Sequence, residues 1–180
     1  WRQAGKITAE ALMFGKKLIK HGAKLIDVAD AVDKKIIDLG ARPAWPTQLS
    51  LNEVAAHFTA DPEDQLILKD QVVSLDVGAH IDGFVGDTAY TVDLSGKNEK
   101  LVEATKQALK NAIKVVRVGV ELCEIGKVIE ETILKYGFRP VKNLSGHGIS
   151  QWVIHDEPSV PNYDNRDRTV LKKGQIIAIE

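Results

Sequence analysis

The sequence has one cysteine, no long apolar run and no excess of either charge. Cys123 cannot form an intrachain disulfide, which excludes a disulfide-stapled scaffold and favours a reducing compartment. No apolar run approaches the roughly 20 residues that cross a bilayer, and the first twelve residues lack the apolar core of a signal peptide. Lys and Arg number 24 against 25 Asp and Glu, so no broad basic surface indicates nucleic acid or anionic lipid. We therefore expect a cytoplasmic protein with no nucleic-acid or membrane partner.

An internal repeat sets the expected architecture. Residues 22–43 and 119–140 align without a gap at an offset of 97, and both combine apolar residues at helical spacing with a final Gly-x-Arg-Pro. A further helix is predicted before each copy, at about 2–20 and 99–117. With 180 residues, of which 44% are apolar, we expect a single domain made of two similar halves, about 1–97 and 98–180.

A predicted β-hairpin in the first half carries two carboxylates. The stretch VVSLDVGAHIDGFVGDTAYTVDL (72–94) is rich in β-branched residues and has a turn signal at Asp82-Gly83. Folding about that turn is expected to bring Asp76 and Asp87 roughly opposite each other, about 5 Å apart at the backbone. Two facing carboxylates repel unless a cation lies between them, which favours a divalent metal. The alternative, that both residues cap turns at strand ends, carries equal weight at this point.

The second half supplies an imidazole and a further carboxylate. His147 lies between Gly146 and Gly148, which would let the backbone approach a site closely. KGQIIAIE (173–180) repeats KDQVVSLD (69–76), so Glu180 takes the place of Asp76. By that repeat a returning strand should follow Glu180, and we expect the second half to be incomplete. Lone histidines near apolar segments are more often hydrogen-bonded core residues. The whole set nevertheless suits one or two divalent first-row metal ions: Asp76, Asp87, His147 and Glu180.

Four stretches together carry a resemblance to a known family. They are AWPTQLSLNEVAAHF, SLDVGAHIDGFVGDTAYTVDL, NLSGHGISQWVIHDEPSVPNY and KGQIIAIE, and they run in order over nearly the whole chain. The sequence resembles the methionine aminopeptidases, most closely the archaeal and eukaryotic type II group. That resemblance implies an α+β pita-bread fold, with two pseudo-symmetric helix-helix-β-hairpin halves around a central metal site.

The resemblance also implies a role for individual residues. The metal ligands would be Asp76, Asp87, His147 and Glu180, with Asp87 bridging two divalent ions of Co, Mn, Fe or Zn. Glu180 would also serve as general base. His57, His155 and Ile154 would contact the substrate, and Trp45 stands where the type II enzymes have a Phe that lines the methionine pocket. A second ligand Glu and a helical insertion would lie beyond Glu180, in a further C-terminal segment that partners this chain.

The implied function is removal of the N-terminal methionine from nascent proteins and peptides, by water attack on the scissile amide. One alternative is a prolidase or aminopeptidase P, although those enzymes carry a separate N-terminal domain and this chain enters the repeat almost at once. The other is an inactive binding module of the same fold. Such a module should show replaced ligands, whereas every ligand position within this chain is intact.

Overall fold

A computed structural model describes all residues of the chain, 1–180, as two compact units. Both units combine helices with an antiparallel sheet, which confirms the α+β class. The first unit, Trp1–Asn98, contains α1 (Arg2–Leu18), α2 (Leu25–Asp38), β1 (Arg42–Pro43), β2 (Gln48–Leu51), β3 (Val72–Ile81) and β4 (Phe84–Asp93). The second unit, Glu99–Glu180, contains α3 (Glu99–Val115), α4 (Leu122–Lys135), β5 (Gly146–Ser150), β6 (Val153–Val160) and β7 (Ile176–Ala178).

The predicted repeat of the helices is confirmed. Helices α1 and α3 are both 17 residues long, α2 and α4 are both 14 residues long, and each pair starts 97 positions apart. Gly40 and Gly137 follow α2 and α4 at equivalent positions, with φ of 85° and 83°. Glycine adopts this left-handed backbone without a steric penalty, so it ends each helix cleanly. None of the helices is long and apolar enough to cross a membrane.

Strand β3 organises the first unit. It pairs with β4 along one edge and with both β1 and β2 along the other, always antiparallel. The β3–β4 connection is a two-residue turn with φ of 50° at Asp82 and 82° at Gly83, which confirms the predicted hairpin and matches a type I′ turn. Alternate β3 residues are fully buried in the core shared with α1 and α2: Val73, Leu75, Val77 and Ala79. The residues between them, Asp76 included, therefore lie on the opposite face of the sheet.

Strand β5 occupies the centre of the sheet in the second unit, with β6 and β7 paired antiparallel on its two edges. Its pairing with β7 repeats the pairing of β2 with β3 in the first unit. The predicted strand in KGQIIAIE is confirmed as Ile176–Ala178, which ends two residues before Glu180. Helices α3 and α4 pack through three buried alanines of α3: Ala104, Ala108 and Ala112.

The connection that follows β4 is held by one carboxylate. Asp93 accepts hydrogen bonds from the Ser95 hydroxyl at 2.6 Å, from the Ser95 backbone N–H at 3.0 Å and from the Asn98 backbone N–H at 2.5 Å. The Ser95 hydroxyl and these backbone donors lower the pKa of Asp93, because they stabilise its charged form. The carboxylate thereby fixes the turn that precedes α3.

We expect Asp93→Asn to weaken the dependence of stability on pH in the acid range. A folded-state pKa below the unfolded value contributes stability above the unfolded pKa, and that contribution is lost as the pH falls through the folded pKa. Urea midpoints measured by circular dichroism between about pH 5 and pH 2 should therefore fall less steeply in Asp93→Asn than in the wild type. Exposed Asp70 provides the control as Asp70→Asn. Identical pH profiles for Asp93→Asn and wild type would contradict the assignment.

Candidate functional site

The two carboxylates of the first unit lie on one face of the β3–β4 hairpin, but they are not directly opposite. Asp76 pairs with Ala89, and Asp87 pairs with Gly78. The prediction of a facing pair was wrong by two residues, because a two-residue turn at Asp82-Gly83 fixes the whole register. Asp76 and Asp87 are thus diagonal neighbours on the same face, a relation that places such residues about 7–8 Å apart at the backbone. Both side chains are half-buried.

Trp45 covers Gly78 on the face of the hairpin that carries these carboxylates. A Cβ added at Gly78 would lie 2.6 Å from Cε2 of the Trp45 ring and would overlap the neighbouring ring carbons. Residue 78 faces the same side of the sheet as Asp76, so the indole ring lies on the carboxylate face, beside the position opposite Asp87. The indole N–H of Trp45 is buried without a hydrogen-bond partner. Only glycine at position 78 leaves room for this ring.

Sequence reasoning did not single out Gln48, which also lies on this face. Gln48 is directly opposite Asp76 in the β2–β3 pairing, and its side-chain oxygen is buried without a hydrogen-bond partner. No local pattern in the sequence identifies it, because its relation to Asp76 depends on the register of two strands that are 20 residues apart.

His57 lies in the loop after β2 and has an unusual backbone conformation. Its φ is 64°, its side chain is exposed, and the next residue, Phe58, is bonded to β2 through its carbonyl oxygen and its N–H. Non-glycine residues in this region cost of the order of 1–3 kcal/mol and are concentrated at functional sites. The Phe58 carbonyl accepts from the Leu49 N–H at 2.9 Å, and the Phe58 N–H donates to the Ser50 hydroxyl at 3.3 Å. These two bonds hold His57 in that conformation.

His147 lies on the central strand of the second unit and is buried. Its flanking glycines, predicted to let the backbone approach a site closely, lie against the backbones of the two neighbouring strands. A Cβ at Gly146 would meet the carbonyl of Ala178 on β7, and a Cβ at Gly148 would meet the carbonyl of Glu157 on β6. These glycines therefore let the two neighbouring strands approach β5 closely, and they act on the imidazole only by fixing the strand that carries it.

The imidazole of His147 contacts a hydrogen-bond acceptor with each ring nitrogen. Nδ1 is 3.0 Å from the carbonyl oxygen of Gly148, and Nε2 is 3.1 Å from Oε1 of Glu180. A neutral imidazole carries one N–H, whereas both of these neighbours only accept. A cation shared by Nε2 and Glu180, with the N–H on Nδ1 directed to the Gly148 carbonyl, would satisfy both contacts.

A divalent metal ion fits this pair. Bonds of about 2.0–2.2 Å from one ion to a histidine nitrogen and a carboxylate oxygen, roughly at right angles, separate the two ligand atoms by about 3 Å. The observed separation of 3.1 Å between His147 and Glu180 agrees with that value. The Nδ1–H bond to Gly148 supplies the outer contact that metal-binding histidines usually have.

His155 lies on β6 next to His147. The two rings meet edge to face, with centroids 4.4 Å apart and an angle of 86° between their planes. The side chain of His155 is exposed, and Ile154 before it is half-buried. The following residue, Asp156, was not singled out from the sequence. Its carboxylate accepts a hydrogen bond from the Ser150 hydroxyl, which lowers the pKa of Asp156 and keeps it charged.

Each unit therefore assembles part of the predicted residue set. The first unit places Asp76, Asp87 and Trp45 on one face of the β3–β4 hairpin. It also carries His57 in the loop after β2. The second unit brings His147, His155 and Glu180 together, with Ile154 next to His155.

Comparison with known proteins identifies the family to which this arrangement belongs. The model of metallopeptidase family M24 matches residues 1–180, and the chain belongs to that family. In the solved structures, the chain resembles the methionine aminopeptidase of Thermotoga maritima, with a TM-score of 0.90 and 32% identity over 99% of this chain and 76% of that one. The prolidase of Pyrococcus furiosus matches with a TM-score of 0.84 and 28% identity over 98% of this chain and 53% of that one. The predicted pita-bread fold is confirmed.

Curated relatives carry the name of one branch of the family. The chain is 48% identical to a methionine aminopeptidase of Archaeoglobus fulgidus, over 99% of this chain and 61% of the relative. It is 42% identical to a methionine aminopeptidase of Methanothermus fervidus, over 90% of this chain and 94% of the relative. The resemblance to the methionine aminopeptidases is confirmed. The chain spans about three-fifths of the length of several curated relatives that it matches.

Proposed function

We propose that the protein is a metal-dependent aminopeptidase that removes the N-terminal methionine from peptides and nascent proteins. The observation that carries this proposal is the pairing of His147 with Glu180, in which Nε2 and a carboxylate oxygen converge at 3.1 Å in a geometry suited to a shared cation. The similarity to methionine aminopeptidases along nearly the whole chain supports the choice of reaction.

The proposed ligands are Asp76, Asp87, His147 and Glu180, which would hold two divalent ions, with Asp87 shared by both. Carboxylates and one imidazole form a hard ligand set that suits Mn, Fe, Co or Zn and lacks the thiolates typical of structural zinc sites. When bound, such ions lower the pKa of water, polarise the peptide carbonyl and orient the free amine. The buried position of His147 and the half-buried positions of Asp76 and Asp87 limit competition from bulk water.

Glu180 has a second proposed role as general base. Its Oε1 lies 3.1 Å from Nε2 of His147, which places the carboxylate at the proposed metal position. An ionised carboxylate there can accept the proton of the attacking water and return it to the leaving amine. With a metal ion on Nε2, the N–H of His147 would lie on Nδ1 and face the Gly148 carbonyl, 3.0 Å away, so His147 would not donate to the substrate.

The substrate side of the proposal rests on four residues. The exposed imidazoles of His57 and His155 can donate hydrogen bonds to the peptide as negative charge develops on its carbonyl oxygen. The edge-to-face contact with His147 fixes the ring of His155. Trp45 and Ile154 supply apolar surface for the side chain of the first residue. The indole of Trp45 lies on the same face of the hairpin as Asp76 and Asp87.

Release of free methionine from Met-Ala-Ser by the purified, Co²⁺- or Mn²⁺-loaded protein, supplied with the proposed C-terminal segment that carries the second ligand Glu, tests this proposal. We expect release from Met-Ala-Ser and none from acetylated Met-Ala-Ser, because the free amine is part of the recognised group. The acetylated peptide is the matched control for any contaminating endopeptidase. No release from either peptide by metal-loaded protein would contradict the proposed activity and would favour an inactive binding module.

The likeness to the Pyrococcus furiosus prolidase gives a second candidate reaction. Prolidases cleave at X-Pro bonds, so Ala-Pro and Leu-Pro dipeptides assayed beside Met-Ala-Ser separate the two activities. We expect turnover of Met-Ala-Ser alone. Turnover of the dipeptides alone would move the protein to the prolidase branch of the family.

A further inference from the structure

A four-residue segment carries Trp45 onto the carboxylate face. This segment, residues 44–47 and here called the strap, joins β1 to β2, which pair with the same edge of β3 at different positions. At its start the backbone N–H of Ala44 donates to the carbonyl of Gly78 at 2.9 Å. The ring of Trp45 then covers Gly78 itself. The strap is therefore attached to β3 directly beneath the indole.

The other end of the strap is attached to a helix by one carboxylate. Oδ1 of Asp33, on α2, accepts from the backbone N–H of Thr47 at 3.1 Å and from the Thr47 hydroxyl at 2.6 Å. Thr47 is 1% exposed, so neither donor can turn to water instead. Val32 and Ile36 are fully buried on the same helix, and they fix α2 in the core. Asp33 thus transfers the rigidity of α2 to the residue two positions after Trp45.

This carboxylate is held in a place that disfavours its charge. Burial raises the pKa of Asp33 and the nearby charge of Asp30 adds to that, while the two hydrogen bonds from Thr47 act in the opposite direction. The adjacent cations are engaged elsewhere, Lys34 with Asp38 and Lys35 with Glu10. A half-buried carboxylate without an ion-pair partner adds little to stability. The main effect of Asp33 is therefore geometric, because its two bonds to Thr47 fix the end of the strap.

We propose that Asp33 is a positioning residue that holds Trp45 over Gly78 and thereby sets which first-residue side chain the site accepts. Between its two attachments the strap has little freedom, so the indole presents a fixed apolar wall beside Asp76 and Asp87. Loss of the Asp33–Thr47 bonds frees one attachment and lets the ring leave the face. The wall then no longer discriminates between unbranched and branched side chains. The selectivity part of this inference rests on the proposed aminopeptidase function.

Fluorescence of Trp45 tests whether Asp33 positions the indole, and this measurement does not depend on enzymatic activity. Trp1→Phe and Trp152→Phe in the 180-residue chain leave Trp45 as the single tryptophan. In that background Asp33→Ala should shift the emission to longer wavelength and raise the acrylamide quenching constant about twofold or more, because the ring gains contact with water. Asp33→Asn should leave both values unchanged, since its amide oxygen accepts the same two bonds. Asp30→Ala, an exposed carboxylate three residues earlier on α2, is the matched control and should also change neither value.

A second substitution covers the case in which Asp33→Ala does not fold. Thr47→Val removes the 2.6 Å bond, keeps the backbone bond and preserves side-chain volume, so it should produce a smaller change in the same direction. Unchanged emission and quenching in whichever of the two variants folds would overturn the positioning role.

The ratio of kcat/KM for Met-Ala-Ser to kcat/KM for Leu-Ala-Ser tests the selectivity part. Asp33→Ala should lower this ratio about tenfold, because discrimination is lost. That change is within the range that apolar pockets show for one misplaced methyl or methylene group. The metal content should be unchanged. Gly78→Ala should change it similarly, because a Cβ there displaces the ring, and the two effects should not add. A freed Trp45 with an unchanged ratio would overturn the selectivity part. A wild type that cleaves neither peptide would overturn that part together with the proposed function, while the fluorescence result would still decide the positioning role.

Discussion

Glu180→Gln is expected to lower kcat for Met-Ala-Ser by at least about 100-fold, the lower end of what a general base contributes. The amide cannot accept the proton of the attacking water, yet it has nearly the same shape and keeps an oxygen that can face His147. His147 Nε2 lies 3.1 Å from the oxygen that is retained in this variant. Steady-state kinetics with metal-loaded protein measure the effect.

The control for this substitution is Glu131→Gln, an exposed glutamate on α4 of the same unit. It removes the same charge from the chain and should leave kcat within about twofold of wild type, as surface substitutions away from such a site usually do. A Glu180→Gln variant with wild-type kcat would show that another group accepts the proton. A loss of equal size in Glu131→Gln would show that the effect comes from net charge.

Asp87→Asn is expected to abolish binding of the second divalent ion. A bridging carboxylate lowers the repulsion between two neighbouring cations, and the neutral amide cannot do so. Calorimetric titration with Mn²⁺ or Co²⁺ should therefore give two bound ions for wild type and at most one for the variant. The fold should be preserved, because Asn fits the half-buried strand position of Asp87 opposite Gly78.

Asp82→Asn is the matched control in the same hairpin. Asp82 lies in the turn with φ of 50°, a conformation that Asn tolerates as well as Asp does. The control loses one carboxylate within a few residues of Asp87 and should retain both ions. Two unchanged sites in Asp87→Asn would defeat the assignment of Asp87 as a bridging ligand.

Local sequence signals were sufficient for the helices and for the hairpin turn. Apolar spacing and the terminal glycines define α2 and α4, whose boundaries fall at equivalent positions in both copies. Asp-Gly at 82–83 is a strong signal for a type I′ turn, and the structure has that turn. The strand at Ile176–Ala178 was recognised because it repeats the apolar run before Asp76.

The offset between Asp76 and Asp87 was within reach of the sequence. Counting outward from a two-residue turn pairs Ile81 with Phe84 and therefore Asp87 with Gly78. Asp87 is therefore two residues away from the position opposite Asp76. The turn type fixes every residue pair of the hairpin, because one register holds along both strands.

Other parts of the site depend on contacts that no local pattern encodes. The glycines beside His147 lie against the backbones of β6 and β7, a contact that depends on how distant strands pair. His57 takes a left-handed backbone conformation without a glycine or asparagine signal. The bond between Asp33 and Thr47 joins residues 14 positions apart through a buried side chain, which periodicity does not reveal.

Anomalous diffraction at the cobalt absorption edge, from crystals of the wild-type protein grown with Co²⁺, shows whether His147 and Glu180 share a metal ion. We expect an anomalous peak about 2.0–2.2 Å from both Nε2 of His147 and Oε1 of Glu180, with Nδ1 still bonded to the Gly148 carbonyl. Ordered cobalt bound elsewhere, with Nε2 of His147 hydrogen-bonded directly to Glu180 and no anomalous peak between them, would contradict this expectation.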